Sequence, residues 1–163
     1  MNRGALISDC GQYRYWLTRV WGDPYTPRVC WVGCNPSTAD HQQDDPTIRR
    51  CVSFSKAWGF NSLVVVNLFS YRATKPEALW QALEEGVDII GPDNGKWLSH
   101  HHALSDLTVA AWGAHLTFDG GGIPEHIRDD LAGFPLVSLG TTKDGHPRHP
   151  LYVKGDTDLV AWP

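Results

Sequence analysis

Three polar segments of this 163-residue chain carry residue types suited to bond hydrolysis. The first reads Gly33-Cys34-Asn35-Pro36-Ser37-Thr38-Ala39-Asp40, followed by Asp44-Asp45, and supplies an amide, hydroxyls and carboxylates. The second begins at Asn67 and holds Phe69, Tyr71 and Arg72; the third holds Lys143, Asp144, His146, Arg148 and His149. An amide beside a carboxylate can hold and deprotonate a water, and a histidine can donate a proton or a hydrogen bond to a leaving group. Asn35 with Asp40 or Asp45 could form such a water-positioning set, and His146 or His149 could be such a donor. Ser37, Asn67, Phe69 and Tyr71 are candidates for recognising a planar ligand. Arg49, Arg50, Arg72, Lys143 and Arg148 are candidates for phosphate. Each residue also has a plain structural role open to it. Asp45 suits a helix N-cap, Pro36-Ser37-Thr38 suits a turn, Asn67 can satisfy a strand-end carbonyl, and the basic residues can be solvated charge.

The elements between these segments decide whether they meet. Tyr13 to Trp21 alternates and reads as a strand; Gly22-Asp23-Pro24 ends it, and the segment through Pro27 reads as a hairpin loop. Arg28 to Gly33 reads as a second, buried strand. Asp45-Pro46 opens a helix whose apolar face is Ile48, Cys51, Val52 and Ser55, closed by Gly59. Leu63-Val64-Val65-Val66 is a β-branched run of the kind covered on both faces in a parallel sheet. Thr74-Lys75-Pro76-Glu77 has capping-box spacing before a helix with Leu79 and Leu83. Trp97, His101 and Leu104 mark another helix, and Thr108 to Trp112 a further strand. A Gly120-Gly121-Gly122 turn, a short helix with Ile127 and Leu131, and a strand from Leu136 to Leu139 complete the series. Alternating strands and helices predict a single α/β domain over residues 1–163, three layers deep. They predict a mostly parallel central sheet with an N-terminal antiparallel hairpin strand at its edge. In such sheets ligands bind at the carboxyl ends of the strands, which brings the three polar segments to one edge.

Composition narrows the class. A net charge of −4 argues against a broadly basic nucleic-acid binder but leaves room for a local basic rim. No apolar stretch approaches a membrane span and no signal-peptide pattern opens the chain, so a cytoplasmic, monomeric protein is expected. Cys10, Cys30, Cys34 and Cys51 lack a paired metal-ligand spacing and read as reduced, mostly buried thiols. No metal or other cofactor is called for.

Four of these motifs resemble the mismatch-specific branch of the uracil-DNA-glycosylase superfamily. Gly33-Cys34-Asn35-Pro36 is similar to the loop that orients the attacking water. Val64-Val65-Val66-Asn67 is similar to the strand whose terminal asparagine reads the base edge. Ala110-Ala111-Trp112-Gly113 resembles the later strand ending in Trp-Gly, and His149-Pro150-Leu151 the segment whose histidine steadies the departing base. The order and spacing of all four fit over residues 28 to 152. A closer resemblance is to the family catalogued as domain of unknown function 1643. It is carried by Asn35-Pro36-Ser37-Thr38-Ala39-Asp40, Asp45-Pro46-Thr47-Ile48-Arg49-Arg50, Gly91-Pro92-Asp93-Asn94 and the run from Thr142 to Tyr152. That family looks similar to antiphage glycosylases that remove glucosylated hydroxymethylcytosine from phage DNA.

The resemblance implies a monofunctional DNA N-glycosylase that acts on a flipped, modified base and leaves an abasic site. Asn35 and a loop acid would hold the water, His149 would face the leaving base, and Asn67 would read its edge. Phe69 or Tyr71 would stack on the base, and the basic residues would bind DNA phosphates. Two other classes compete: an N-glycosidase or transferase on free nucleotides or nucleosides, favoured by the acidic net charge, and a non-catalytic binder of modified DNA.

Overall fold

In the computed structural model, which describes residues 1–25, 27–116, 125–133 and 135–162, the four apolar runs form the middle of one sheet. The strands are β1 (Asn2–Ile7), β2 (Arg14–Val20), β3 (Arg28–Gly33), β4 (Ser62–Asn67), β5 (Leu107–Ala110), β6 (Leu136–Ser138) and β7 (Val160–Trp162). Their order across the sheet is β1-β2-β4-β3-β5-β6-β7. β4, β3, β5 and β6 run parallel; β2 and β7 run against them, and β1, antiparallel to β2, runs with them at the outer edge. The expected parallel centre is present, and antiparallel pairing at both edges makes the sheet as a whole mixed. The difference lies in the edge strands: residues 2–7 show no alternation, and a three-residue strand is too short to leave a periodic signal.

The expected pairing of β2 with β3 does not form. β2 instead pairs with β1 on one side and β4 on the other. β2 carries one irregularity. Leu6 pairs with Trp16 but Ile7 pairs with Arg14, so Tyr15 is an extra, bulged residue. A bulge advances the alternation by one position and re-aims the side chains beyond it. Arg14 therefore shares a face with Leu17 and Arg19 instead of with Trp16.

Helices α1 (Pro46–Ala57), α2 (Pro76–Glu84), α3 (Asn94–Ala103) and α4 (Glu125–Asp130) supply the cover. α1 contributes Ile48, Cys51, Val52 and Phe54 to one apolar core, with Leu17, Val29, Trp31, Leu63, Val65 and Val109 from the strands. α2, α3 and α4 contribute Leu79, Ala82, Leu98 and Ile127 to a second, joined by Leu131 just after α4 and by Cys30, Val32, Val64, Val66 and Ala110. The alternating strand residues divide cleanly between the two cores, as strands buried on both faces require.

α1 starts as expected: the Asp45 carboxylate accepts from the Ile48 amide at 2.9 Å. α2 does not. Pro76 occupies its first turn, so the capping position falls on Lys75, which makes no side-chain cap bond, and Thr74 lies outside the capping-box position. The Gly120-Gly121-Gly122 turn lies outside the described residues. Cys30 and Cys51 are buried, Cys34 is half-buried and Cys10 is exposed. No helix among the described residues is long and apolar enough to cross a membrane.

α3 buries a titratable group against the sheet. His101 stacks on Trp97 and meets Trp16 edge-on, and neither ring nitrogen has a hydrogen-bond partner among the described residues. Burial, aided by Arg28 and His100, pulls its pKa down to about 4 from the usual 6.5. Between those values the unfolded chain binds a proton that the native state does not, so acid favours unfolding. Stability is expected to decline as pH falls from about 6.5 towards about 4. Melting temperatures across this range should drop less in His101→Phe than in the wild type.

Candidate active site

The parallel register pairs Gly33 with Asn67 at the carboxyl ends of β3 and β4. The two polar loops leaving these ends stay laced together. Leu68 N–H donates to Gly33 O, Phe69 N–H to Cys34 O and Ala73 N–H to Pro36 O, each at 2.9 Å. The Asn35 side-chain amide adds two bonds, donating from Nδ2 to Ala73 O at 2.9 Å and to Pro36 O at 3.1 Å. Its Oδ1 is left without a partner among the described residues. From below, Asn94 at the start of α3 donates from Nδ2 to both Asn67 O and Leu68 O at 3.0 Å. This gives the Gly91-Pro92-Asp93-Asn94 segment its role: it clamps the end of β4.

A cleft of about 410 Å³ opens over these strand ends. Asn35, Ser37, Asp45, Asn67 and His149 all line it, so residues from the three polar segments do meet. Asn67 is buried, and its Nδ2 has no hydrogen-bond partner among the described residues. The missing side chain of Gly33 makes room for it, since a Cβ there would lie 2.7 Å from Asn67 Oδ1. Asp45 is buried at the start of α1 with Oδ1 engaged by the Ile48 amide.

His149 reaches the cleft through a short 3-10 turn, Pro150–Tyr152. Its Nδ1 accepts from the Leu151 amide at 3.2 Å, which places the proton of the neutral ring on Nε2. Burial, with His115 nearby, holds the pKa below the ordinary histidine value, and Asp45 opposes the shift. The ring is therefore a neutral Nε2–H donor at physiological pH. Two features fix its place. Gly113 has φ +73°, and a Cβ there would press to 3.3 Å on His149 Cβ. Arg50 donates from Nε to Pro150 O at 3.1 Å and from Nη2 to Val153 O, tying the turn to α1.

The chain belongs to the family described as protein of unknown function (DUF1643). The family model matches residues 14–151. That span includes every residue lining the cleft except Tyr152. No curated protein and no solved structure matches the chain.

Several candidates of this family member do not reach the cleft. The Asp40 carboxylate accepts at Oδ1 from the amides of Gln42 and Gln43 at 2.7 and 2.8 Å, closing a turn, and lies outside the cleft lining. Phe69 is a core residue, edge-on to Trp80. Tyr71 meets Tyr13 edge-on and lies outside the cleft lining. His146 sits in the tight turn closed by Thr142 N–H to His146 O at 2.7 Å, outside the cleft lining. Arg50 is used on backbone carbonyls, and Arg72 donates to Gly11 O at 3.3 Å. Arg49 is exposed on the first turn of α1 and donates to Asp44 O. Lys143 and Arg148 are exposed and line a second pocket of about 310 Å³, contiguous with the first through His115, His149 and Tyr152.

Two residues with a stake in the cleft escape sequence reasoning. Arg14 looks like the outward position of an edge strand, and only the bulge turns it inward. Tyr152, 73% exposed, is the aromatic at the rim of both pockets. Its place at the end of the His149-Pro150-Leu151 motif was the available signal. Arg50→Met is expected to destabilise the fold by about 1–3 kcal/mol, by orphaning two carbonyls and loosening the His149 turn. The exposed Arg49→Met should stay within about 0.5 kcal/mol of wild type. Urea melts of the two variants check the contrast.

Proposed function

We propose that this chain is a DNA glycosylase that hydrolyses the N-glycosidic bond of a modified base and leaves an abasic site. Glucosylated hydroxymethylcytosine of phage DNA is the candidate target, and antiphage defence the candidate setting. The observation that carries the reading is the meeting of Asn35, Asp45 and His149 around one cleft, with the unpaired Asn67 amide at its base. The resemblance of four ordered motifs to the uracil-DNA-glycosylase superfamily, with its three-layer architecture, supports it.

Breaking the C1′–N bond builds positive charge on the sugar and negative charge on the base. Asn35 Oδ1 and the Asp45 carboxylate hold a water, whose oxygen attacks C1′ while Asp45 takes its proton. The base departs with the bonding electrons, and the neutral His149 Nε2–H donates to the charge that develops on it. Asn67 Nδ2 donates to the base edge. With Phe69 in the core, Tyr152 is the ring able to stack on the flipped base or its neighbour. Lys143 and Arg148, beside Tyr152, take the flanking phosphates.

Net charge −4 and a cleft near the small end of ligand pockets favour a second reading, an N-glycosidase on free nucleosides or nucleotides. Incubation with DNA bearing uracil, hydroxymethylcytosine or glucosylated hydroxymethylcytosine, followed by alkali, separates the two. Strand breaks support the glycosylase, and base release from monomers alone supports the second reading. Asn35→Ala, Asp45→Asn and His149→Ala are each expected to slow single-turnover base release by at least ~10²-fold. Wild-type rates in both Asn35→Ala and His149→Ala would sink the mechanism. Replacing Lys143 and Arg148 together by Gln should weaken DNA binding and shallow its salt dependence, with a slope smaller by about 2. Filter binding across a salt series measures it, and an unchanged slope would remove these two residues from the interface.

A further inference from the structure

The wall of the cleft beside Asn67 holds a cation with no ion-pair partner among the described residues. Arg14 is 2% exposed, lies on the α1 side of the sheet because of the bulge at Tyr15, and lines the cleft. Its Nη1 donates to Ala39 O at 2.7 Å, and its Nε is buried without a partner. No carboxylate among the described residues forms an ion pair with it. Asp44 pairs with Arg19 and Arg3, Asp40 closes its own turn, and Asp45 caps α1. A second guanidinium, Arg72, adds to the local positive potential, and its Nε is also buried without a partner. Burial draws the Arg14 pKa down to about 10, with Asp45 opposing and Arg72 and Arg19 reinforcing the shift.

An uncompensated buried charge is among the costliest groups a fold can hold, and guanidinium groups match oxyanions with paired, charge-assisted hydrogen bonds. We propose that Arg14 forms an oxyanion subsite of the cleft, so that the ligand presents a carboxylate or phosphate beyond Asn67. Strand order sets Arg14 on β2 at one end of the cleft and His149, which follows β6, at the other, with Asn67 and Asn35 between. The exposed cations Lys143 and Arg148 lie at the rim, where a backbone phosphate would pass. The hydroxyl-bearing Ser37 and Thr38, in the loop that Arg14 holds through Ala39, line the same cavity. The subsite is a property of the cleft and stands whether or not bond hydrolysis follows.

Isothermal titration of the full chain with cytidine, 5-carboxycytidine, cytidine 5′-monophosphate and inorganic phosphate tests it. At least one anionic nucleoside ligand is expected to bind about tenfold tighter than cytidine, the scale of a charge-assisted bond. A gain confined to 5-carboxycytidine places the oxyanion on the base; a gain with the monophosphate and binding of phosphate alone place it on the nucleotide. Arg14→Gln should bring the anionic and neutral ligands to within about twofold of each other. Should Arg14→Gln not fold, Arg14→Lys decides: it keeps the charge but loses the fork, and the preference should shrink several-fold. Equal affinities in the wild type, no binding of any anion, or a full preference in either variant overturns the proposal. Absence of base release from DNA would instead defeat the glycosylase reading and leave this subsite untouched.

Discussion

The cleft depends on one constraint, the in-register parallel pairing of β3 with β4 that sets Gly33 opposite Asn67. Parallel strands end side by side, so the loops after them leave the sheet as neighbours. Here the hydrogen-bond ladder continues past the strands, through Leu68 to Gly33, Phe69 to Cys34 and Ala73 to Pro36. Two chain segments that would otherwise be free loops become an extension of the sheet. Asn35 and Asn94 then spend their side chains on the same backbone, from above and below. Gly33 is the price of this closeness, because a side chain at that position would displace the Asn67 amide.

Charge completes what the backbone begins. Arg19 has a fully buried side chain and meets Asp44 at 2.7 Å, while its other nitrogens donate to Thr18 O, Asp40 O and Gln43 O. A buried pair of this kind adds little net stability over apolar packing, but it specifies one position for the loop that carries it. Residues 34–45 are held against β2 by Arg19 and by Arg14, both on the face that the bulge creates. The difference between the two arginines is instructive. Arg19 is satisfied on every side and is structural, whereas Arg14 is satisfied on one side and open to the cleft.

The third wall is attached more lightly. His149 arrives from beyond β6, on a turn fixed by Gly113, by the Arg50 bonds to Pro150 and Val153, and by its own Nδ1 cap. The cap does double duty. By engaging Nδ1 it orients the ring and selects the Nε2–H tautomer, and burial keeps the ring neutral. A neutral donor suits a step in which negative charge appears on a leaving group, because the bond strengthens as the charge forms and no proton need be transferred.

Much of this was legible in the chain itself. The Asp45-Pro46 cap and the buried runs at residues 28–33 and 63–66 are local features, governed by propensity, capping chemistry and period, and the structure keeps them. The convergence of Asn35, Asn67 and His149 followed from strand–helix alternation, because parallel topology sends such loops to one edge. What the sequence could not decide depends on partners distant along the chain. Whether an acid closes its own turn, as Asp40 does, or faces a cavity, as Asp45 does, is settled by where neighbouring amides lie. Phe69 reads as a loop aromatic until Trp80 and the α2 core enclose it, and Arg50 as a surface cation until the 150–153 turn lies within its reach. Arg14 is the clearest case. Its direction reverses with one bulged residue, and a bulge is set by the register of β1 against β2, a property of the pair and not of either strand alone.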